Sequence, residues 1–263
     1  MFRRLSHLFI AALVLVPVSG RAEDPVTARQ WLERSHRARF PGADMRARFE
    51  IVVERSDGER LERAGTALRL TRDDRLADRL FVIDAPDSIA GIALLSKDVA
   101  DEPAAQWLYL PAYRRARRVA LHGAGDAFVG SDFNYADLAR VRVEGGAHRL
   151  AGSRSVAGVE CVVVETDNAD PGLPYSKLVS MIDRRNALPV RVEYFDDDGQ
   201  LAKVGTIETI ALIDGWPTPT EISMSNRVTG GTSSIRLRDV RYDTGLTGEM
   251  FTTERLEAQG PPR

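Results

Sequence analysis

The residue types best able to bind or transform another molecule are concentrated between Trp107 and Leu138, in WLYLPAYRRARRVALHGAGDAFVGSDFNYADL. Arg114, Arg115, Arg117 and Arg118 place four guanidinium groups within five residues. Their planar forks suit phosphate or carboxylate, and the same run also reads as a solvated basic edge that blocks strand-to-strand aggregation. Phe128, Phe133 and Tyr135 follow on a segment carrying Gly123, Gly125 and Gly130. They are either the aromatic underside of a mobile flap or anchors that tie a loop to the core. Trp107 and Tyr109 alternate with Leu108 and Leu110, so this strand has large residues on both faces. Such a strand is covered on both sides, by core or by a bound apolar ligand.

Catalytic patterns are missing from the rest of the chain. It has no Gly-x-Ser-x-Gly elbow, no His-Glu-x-x-His and no Walker loop, and Gly123, Gly125 and Gly130 lack dinucleotide spacing. Beyond residue 22 the histidines are His36, His122 and His148, in unrelated local contexts. His122 beside Gly123 and Asp126 has the types for a base or ligand, but a loop histidine without a spaced partner is more often inert. Asp196-Asp197-Asp198 lacks the spacing of a calcium loop and reads as a solvated hairpin tip. No catalytic residue, metal or cofactor is expected, so the chain is read as a non-enzyme. The net charge of −2 gives no electrostatic footprint for nucleic acid.

The elements that must position these residues are mainly strands. Phe49, Ile51 and Val53 alternate with Arg48, Glu50 and Glu54; a turn at Asp57-Gly58 leads to a second run ending at Leu70. Val190 to Tyr194, Asp198-Gly199 and Leu201 to Ile210 repeat the pattern, as do Ile222 to Val228, Gly230-Gly231 and Ile235 to Leu237. These predict sequential antiparallel strands with one apolar face. Two helices are expected. One is capped by Asp24-Pro25 or by a Thr27-x-x-Gln30 box, buries Ala28, Trp31, Leu32 and Ser35, and ends at Pro41-Gly42. A short one covers Asn134 to Ala139 with Asp132 as its cap. The lone Cys161, within Val159–Val164, cannot form an internal disulfide and is expected to be a buried thiol.

Arg3 and Arg4, an apolar run from Leu8 to Val16, and Gly20-Arg21-Ala22 have the form of a cleavable signal peptide over residues 1–22, with Glu23 as first mature residue. The apolar run is short of the ~20 residues that cross a bilayer. The expectation is an exported, periplasmic, monomeric protein with a single domain over 23–263. With 43% hydrophobic and 28% charged residues it has the material for a core.

Trp107-Leu-Tyr-Leu-Pro111, the arginine run and Phe128-Val-Gly-Ser-Asp-Phe-Asn-Tyr-Ala-Asp-Leu138 together resemble the outer membrane lipoprotein-sorting protein family, a LolA-like group. The likeness continues through Asp183 to Phe195, Pro219 to Met224, and Thr244 to Leu256, nearly the whole chain after Ala22, and is most specific at Gly130-Ser-Asp-Phe133. It implies a mainly β (α+β) fold: a strongly curved antiparallel sheet forming an incomplete barrel, with helices as plug or lid. It also implies a carrier that binds lipoprotein acyl chains or another lipid in an apolar cleft, with an envelope membrane protein as partner. In LolA an arginine near the end of an early strand ties the lid shut; Arg69 or Arg72 lies in the matching region, but the local motif differs and the role is not carried over. Candidate cleft residues are Phe49, Ile51, Val53, Trp107, Tyr109, Ile222, Met224, Ile235 and Leu237, each of which also fits a closed core. Phe128, Phe133 and Tyr135 are the lid candidates, and Arg114, Arg115, Arg117 and Arg118 the docking rim. The competing readings are a lipid-sensing accessory subunit, a structural interaction module, and, least supported, a lipid or glycan hydrolase.

Overall fold

A computed structural model describes residues 26–39, 41–73, 76–100, 102–139, 146–167 and 174–262; the expected signal peptide and the Asp24-Pro25 cap lie outside them. The first hairpin joins β1 (Asp44–Glu54) to β2 (Arg60–Thr71) through the Asp57-Gly58 turn. There Gly58 takes a φ of 90°, open to glycine at no steric cost, and Asp57 Oδ1 accepts a hydrogen bond from the Glu59 amide at 3.0 Å. The chain then runs to one edge through β3 (Ala77–Ala85), β4 (Ala93–Val99), β5 (Glu102–Leu110) and β6 (Arg115–Arg118). It returns from the other edge through β7 (Ala147–Val156), β8 (Val159–Asp167), β9 (Lys177–Asp183), β10 (Pro189–Phe195), β11 (Leu201–Ile213), β12 (Trp216–Asn226) and β13 (Thr232–Tyr242). β13 pairs with β1, giving one antiparallel sheet in the order β6-β5-β4-β3-β2-β1-β13-β12-β11-β10-β9-β8-β7. The sheet is not closed; β6 and β7 are its edges.

Register fixes which side chains share a face, because opposed residues project to the same side. Phe49 opposes Leu237 and Gly65, Ala67 opposes Phe81, and Phe81 opposes Leu94. On the far side Ile235 opposes Ile222, Met224 opposes Gly205, and the line continues through Val192 and Ser180 to Val164. Helix α1 (Ala28–Arg39) lies on this face, its Ala28, Trp31 and Leu32 against Val162, Val164 and Ile182. Its start is the Thr27–Gln30 capping box: Gln30 Oε1 accepts from the Thr27 amide at 2.8 Å and Thr27 Oγ1 from the Gln30 amide at 3.2 Å. All four residues expected on its packed face are buried. Helix α2 (Thr253–Gln259) covers the opposite face, where Phe251 and Leu256 pack on Leu68, Leu80, Leu95 and Tyr109.

Two expectations are corrected here. Trp107 and Tyr109 oppose Leu95 and Ala93, which places them on the face under α2 rather than with Phe49 and Ile235. Their strand is covered on both sides, as its composition required, but by α2 and core. The expected helix from Asn134 to Ala139 is a single 3-10 turn, Ala136–Leu138, and Asp132 does not cap it. Asp132 is drawn to the β12–β13 tip instead: Oδ2 accepts from Ser233 Oγ at 2.7 Å and Oδ1 from Asn226 Nδ2 at 3.1 Å. Polar groups bonded to the sheet in this way do not build a helical ladder.

Candidate functional site

The chain that follows β6 packs on the inner face as far as it is described, to residue 139. Its residues 124–139 form an irregular hairpin: the Phe128 amide donates to Phe133 O (2.8 Å), the Tyr135 amide to Asp126 O (3.2 Å) and the Ala136 amide to Ala124 O (2.9 Å). Val129 and Gly130 take φ values of 46° and 79°, turning the chain back directly after Phe128. This cover segment, α1 and the inner face line a cavity of about 130 Å³. Phe133 and Leu138 contribute from the cover, Ile207, Ile222, Met224, Ile235 and Leu237 from β11 to β13, and Ala67 and Phe81 from β2 and β3. Phe81 on β3 and Val192 on β10 both line it although six strand spacings separate their strands, about 29 Å on a flat sheet. The sheet is therefore strongly curved around this space.

Of the residues expected to face a cleft, Ile222, Met224, Ile235 and Leu237 line this cavity. Phe49, Ile51 and Val53 share their face but are sealed beside it in a core cluster with Phe128, Ala67, Ile83 and Leu94. There a chain of edge-on and tilted rings runs from Phe49 to Phe81 (6.2 Å), Phe128 (6.1 Å) and Tyr135 (6.2 Å). Phe133 lines the cavity, whereas Phe128 and Tyr135 anchor the cover to that cluster. The arginine run sits elsewhere, on edge strand β6 beside α2. Arg114 Nη2 donates to Ala258 O (2.9 Å), Arg115 pairs with Glu257 (3.3 Å), and Arg117 and Arg118 stack 5.9 Å from the Tyr113 and Trp107 ring centres. His122 is exposed, Cys161 is buried and free, and the tip residues Asp197 and Asp198 are exposed.

Polar groups that periodicity did not single out give the cavity its character. Arg39 from the last turn of α1, Arg69 from β2 and Arg79 from β3 all line it, with His36, Asp137 and Tyr194. Arg69 opposes Arg79 directly across the β2–β3 ladder, and both are buried. Arg79 Nη1 reaches Asp98 Oδ1 at 2.7 Å, while Asp98 Oδ2 accepts from the Ala77 amide at 3.0 Å. Burial pulls the Arg69 guanidinium down to about 10; the like charge of Arg79 adds to this and Asp98 opposes it. Burial lowers Arg39 as well, with Tyr194 pulling up and Arg79 pushing further down. Arg72 lies outside this group, paired with Asp78 at 2.8 Å. One sequence signal does point here: the inner positions read Gly65, Ala67, Arg69 on β2 and Ile83, Phe81, Arg79 on β3, an apolar face turning basic at one end.

A second polar group fastens the cover. Lys203 Nζ on β11 donates to Asp132 O (2.7 Å) and Asn134 Oδ1 (2.6 Å), and the Tyr175 hydroxyl donates to Asp137 Oδ1 (3.0 Å) while accepting from Asn134 Nδ2 (3.0 Å). Asp137 Oδ2 takes the Asn134 amide at 2.7 Å, the capping role expected of Asp132. Among the described residues no cluster of His, Cys, Asp and Glu is arranged to hold a metal ion.

A family model described as that of an uncharacterized protein matches residues 76–258. Three solved structures superpose on most of the chain. A DUF1329 family protein from Desulfovibrio piger is 24% identical, with a TM-score of 0.81 over 89% of this chain and 100% of that one. A protein from Vibrio parahaemolyticus assigned as an outer membrane lipoprotein-sorting protein domain is 26% identical, with a TM-score of 0.80 over 86% and 97%. A LolA superfamily protein from Nitrosomonas europaea is 22% identical, with a TM-score of 0.71 over 88% and 100%. No curated protein matches the chain by sequence.

Proposed function

The chain belongs to the family of uncharacterized proteins whose model matches residues 76–258 and has a LolA-like fold, and on that premise we propose that it is a periplasmic carrier that shelters lipoprotein acyl chains or another lipid in its covered cavity. The observation that carries this reading is the apolar wall of Ile222, Met224, Ile235 and Leu237, which lines one cavity with Phe133 and Leu138 of the cover. An acyl chain gains about 0.8 kcal/mol for each CH₂ removed from water, so such a wall binds it without directed chemistry. The reading is of a binding protein, not an enzyme. It includes cleavage after Ala22, one domain over 23–263, a monomeric state and an envelope membrane protein that hands over or receives the cargo.

The experiment is gentle purification of the exported protein, solvent extraction and mass spectrometry of what comes off. Stoichiometric lipid, followed by its transfer to acceptor vesicles, is the expected result. Protein that emerges empty and takes up no lipid when incubated with vesicles overturns the carrier reading. Retained lipid without transfer identifies a sensor instead. N-terminal sequencing of the same sample is expected to begin at Glu23.

A further inference from the structure

The end of the β11–β12 hairpin carries exposed apolar residues that neither the core nor the cavity uses. Leu212 is 75% exposed, Trp216 48% and Ile210 41%, all within seven residues of sequence. Scattered singly, such side chains need no explanation; gathered on one hairpin end they mark a contact surface. Leu212 opposes Pro217 and Ile210 opposes Pro219, while Trp216 opposes Ile213. Neighbours along a strand project to opposite faces, so Leu212 and Pro217 lie on one side of the hairpin end and Trp216 on the other. Trp216 opens onto a groove outside the cavity, shared with Trp31, Arg34 and Arg37 of α1 and with Arg184 and Arg185 of the β9–β10 turn. All four arginines are exposed, and no Asp or Glu is among the described residues that line this groove. The Arg34 guanidinium lies 5.6 Å from the Trp31 ring centre, and Arg184 Nη2 donates to Ser153 Oγ at 2.6 Å. Three acids adjoin these residues in sequence: Glu33 pairs with Arg29 and Asp183 with Arg185, while Asp214 is exposed in the hairpin turn. The last turn of α1 divides between two spaces, with Arg37 and Ala38 lining the groove and His36 and Arg39 the cavity.

We propose that this end of the molecule docks on an anionic lipid bilayer, with Leu212 and Trp216 entering the interface and Arg34, Arg37, Arg184 and Arg185 meeting lipid phosphates. The proposal goes beyond the carrier reading, because this surface lies outside the cavity and its docking needs no cargo. Apolar side chains on both faces of one hairpin end favour a bilayer over a protein partner. A protein laid against one face leaves the other in water, whereas a bilayer interface surrounds the tip. Tryptophan suits that depth, with its ring in apolar surroundings and its N–H within reach of water and head groups. The guanidinium groups beside it gain from anionic phosphate, about fivefold in binding for each basic residue near the surface. An apolar insertion and a basic patch together give the two signals that stable attachment to a membrane surface takes. Docking here also brings to the membrane the last turn of α1, which borders both the groove and the cavity.

The test is flotation of the full mature chain with vesicles of phosphatidylcholine alone and of phosphatidylcholine mixed equally with phosphatidylglycerol. Flotation registers only protein held on the vesicle, so lipid taken into the cavity of a soluble protein does not count. Binding to the mixed vesicles is expected to be about tenfold tighter than to phosphatidylcholine, and to weaken as salt rises from about 0.1 to 0.5 M. Arg34→Gln combined with Arg37→Gln is expected to weaken it about 30-fold, and Leu212→Ser about tenfold. Both variants are expected to keep the parental melting curve, because these side chains are exposed. Arg117→Gln combined with Arg118→Gln removes the same charge from edge strand β6 and is expected to bind as the parent does. With brominated lipid in the mixed vesicles, tryptophan fluorescence is expected to be quenched in the parent and much less so in Trp216→Phe. Equal binding to the two vesicles, no binding to either, or a loss no greater in the groove variants than in the β6 variant overturns the assignment. Quenching unchanged in Trp216→Phe overturns it as well. None of these results bears on the carrier reading, which lipid extraction decides.

Discussion

Lys203 Nζ lies 3.6 Å from Asp137 Oδ2, where the cover segment lands on β11, and both side chains are shielded from solvent. Burial pushes the Lys203 ammonium down and the Asp137 carboxyl up, and each charge pulls the other back toward ionisation. Through Asp132 O, Asn134 Oδ1 and Asp137, this one lysine holds three positions of the cover. The cover is thus attached both by this polar group and by the Phe128 and Tyr135 rings.

Lys203→Met strands the Asp137 charge in that buried site. Removing one partner of a buried pair costs about 3–5 kcal/mol, and the variant is expected to lose an amount near the lower figure because Tyr175 and the Asn134 amide remain. Amide exchange at Phe128 and Tyr135, whose hydrogen bonds close the cover on itself, is expected to accelerate. Adding Asp137→Leu is expected to recover part of the loss in urea denaturation. A double variant no more stable than the single one counts against a coupled lock.

Asp44 governs a different attachment, that of the segment leading to α2. Its carboxylate accepts from the Thr244 amide (2.8 Å) and hydroxyl (2.6 Å), the Gly245 amide (2.8 Å) and the Leu246 amide (3.0 Å). Burial opposes ionisation, but these donors outweigh it and hold the carboxyl below its ordinary value of 3.8. A depressed folded-state value means the contribution is complete above 3.8 and is lost as the pH falls through the folded value. Asp44→Asn is expected to cost about 2 kcal/mol at neutral pH. Thermal melts between about pH 2 and 6 are expected to show a smaller acid decline in the variant than in the parent. Parallel curves dismiss Asp44 as a source of acid sensitivity.

The parts of this fold that were legible in sequence are those with local causes. Asp57-Gly58 and Asp198-Gly199 announce hairpins because the turn needs their backbone freedom, and the Thr27–Gln30 box announces α1 because both partners lie within one turn. The face of Trp107 was not legible. Large residues on both sides of β5 say only that both sides are covered, and the side with the cavity follows from register passed strand to strand from β1. Arg39, Arg69 and Arg79 are equally hidden among many arginines, because their meeting depends on β2–β3 pairing and on where α1 docks. The cover helix failed for a related reason: Asp132 and Asn134 have the composition of a helix start, but Ser233, Asn226, Tyr175 and Lys203 compete for their side chains.

Gly65 is required by close approach and not by an unusual backbone angle. It opposes Phe49 across β1–β2, and a Cβ there would overlap the edge of the Phe49 ring and the Val82 carbonyl oxygen. The backbone oxygen cannot yield without disturbing the β2–β3 ladder. Gly65→Ala is expected to destabilise by about 2 kcal/mol, in the usual range for overpacking, and to be read as a lowered Tm. A variant as stable as the parent shows that the Phe49 ring and the ladder have slack that the close contact conceals.

Phe49 and Ile222 then separate core from cavity on one continuous face. Phe49 is 2% exposed, sealed under Phe128 and Phe81, so truncating it opens a void that nothing fills. Phe49→Ala is expected to cost about 3–5 kcal/mol in urea denaturation. Ile222 is partly buried and borders space that already exists, so Ile222→Ala removes fewer contacts and is expected to cost less than about 2 kcal/mol. Ligand binding should rank the two in the opposite order. N-phenyl-1-naphthylamine is expected to bind more weakly to Ile222→Ala, while Phe49→Ala, measured where it remains folded, keeps near-parental affinity. The reverse ranking in both measurements would place the ligand beneath Phe128 instead, and would make the β11–β13 wall part of the ordinary core.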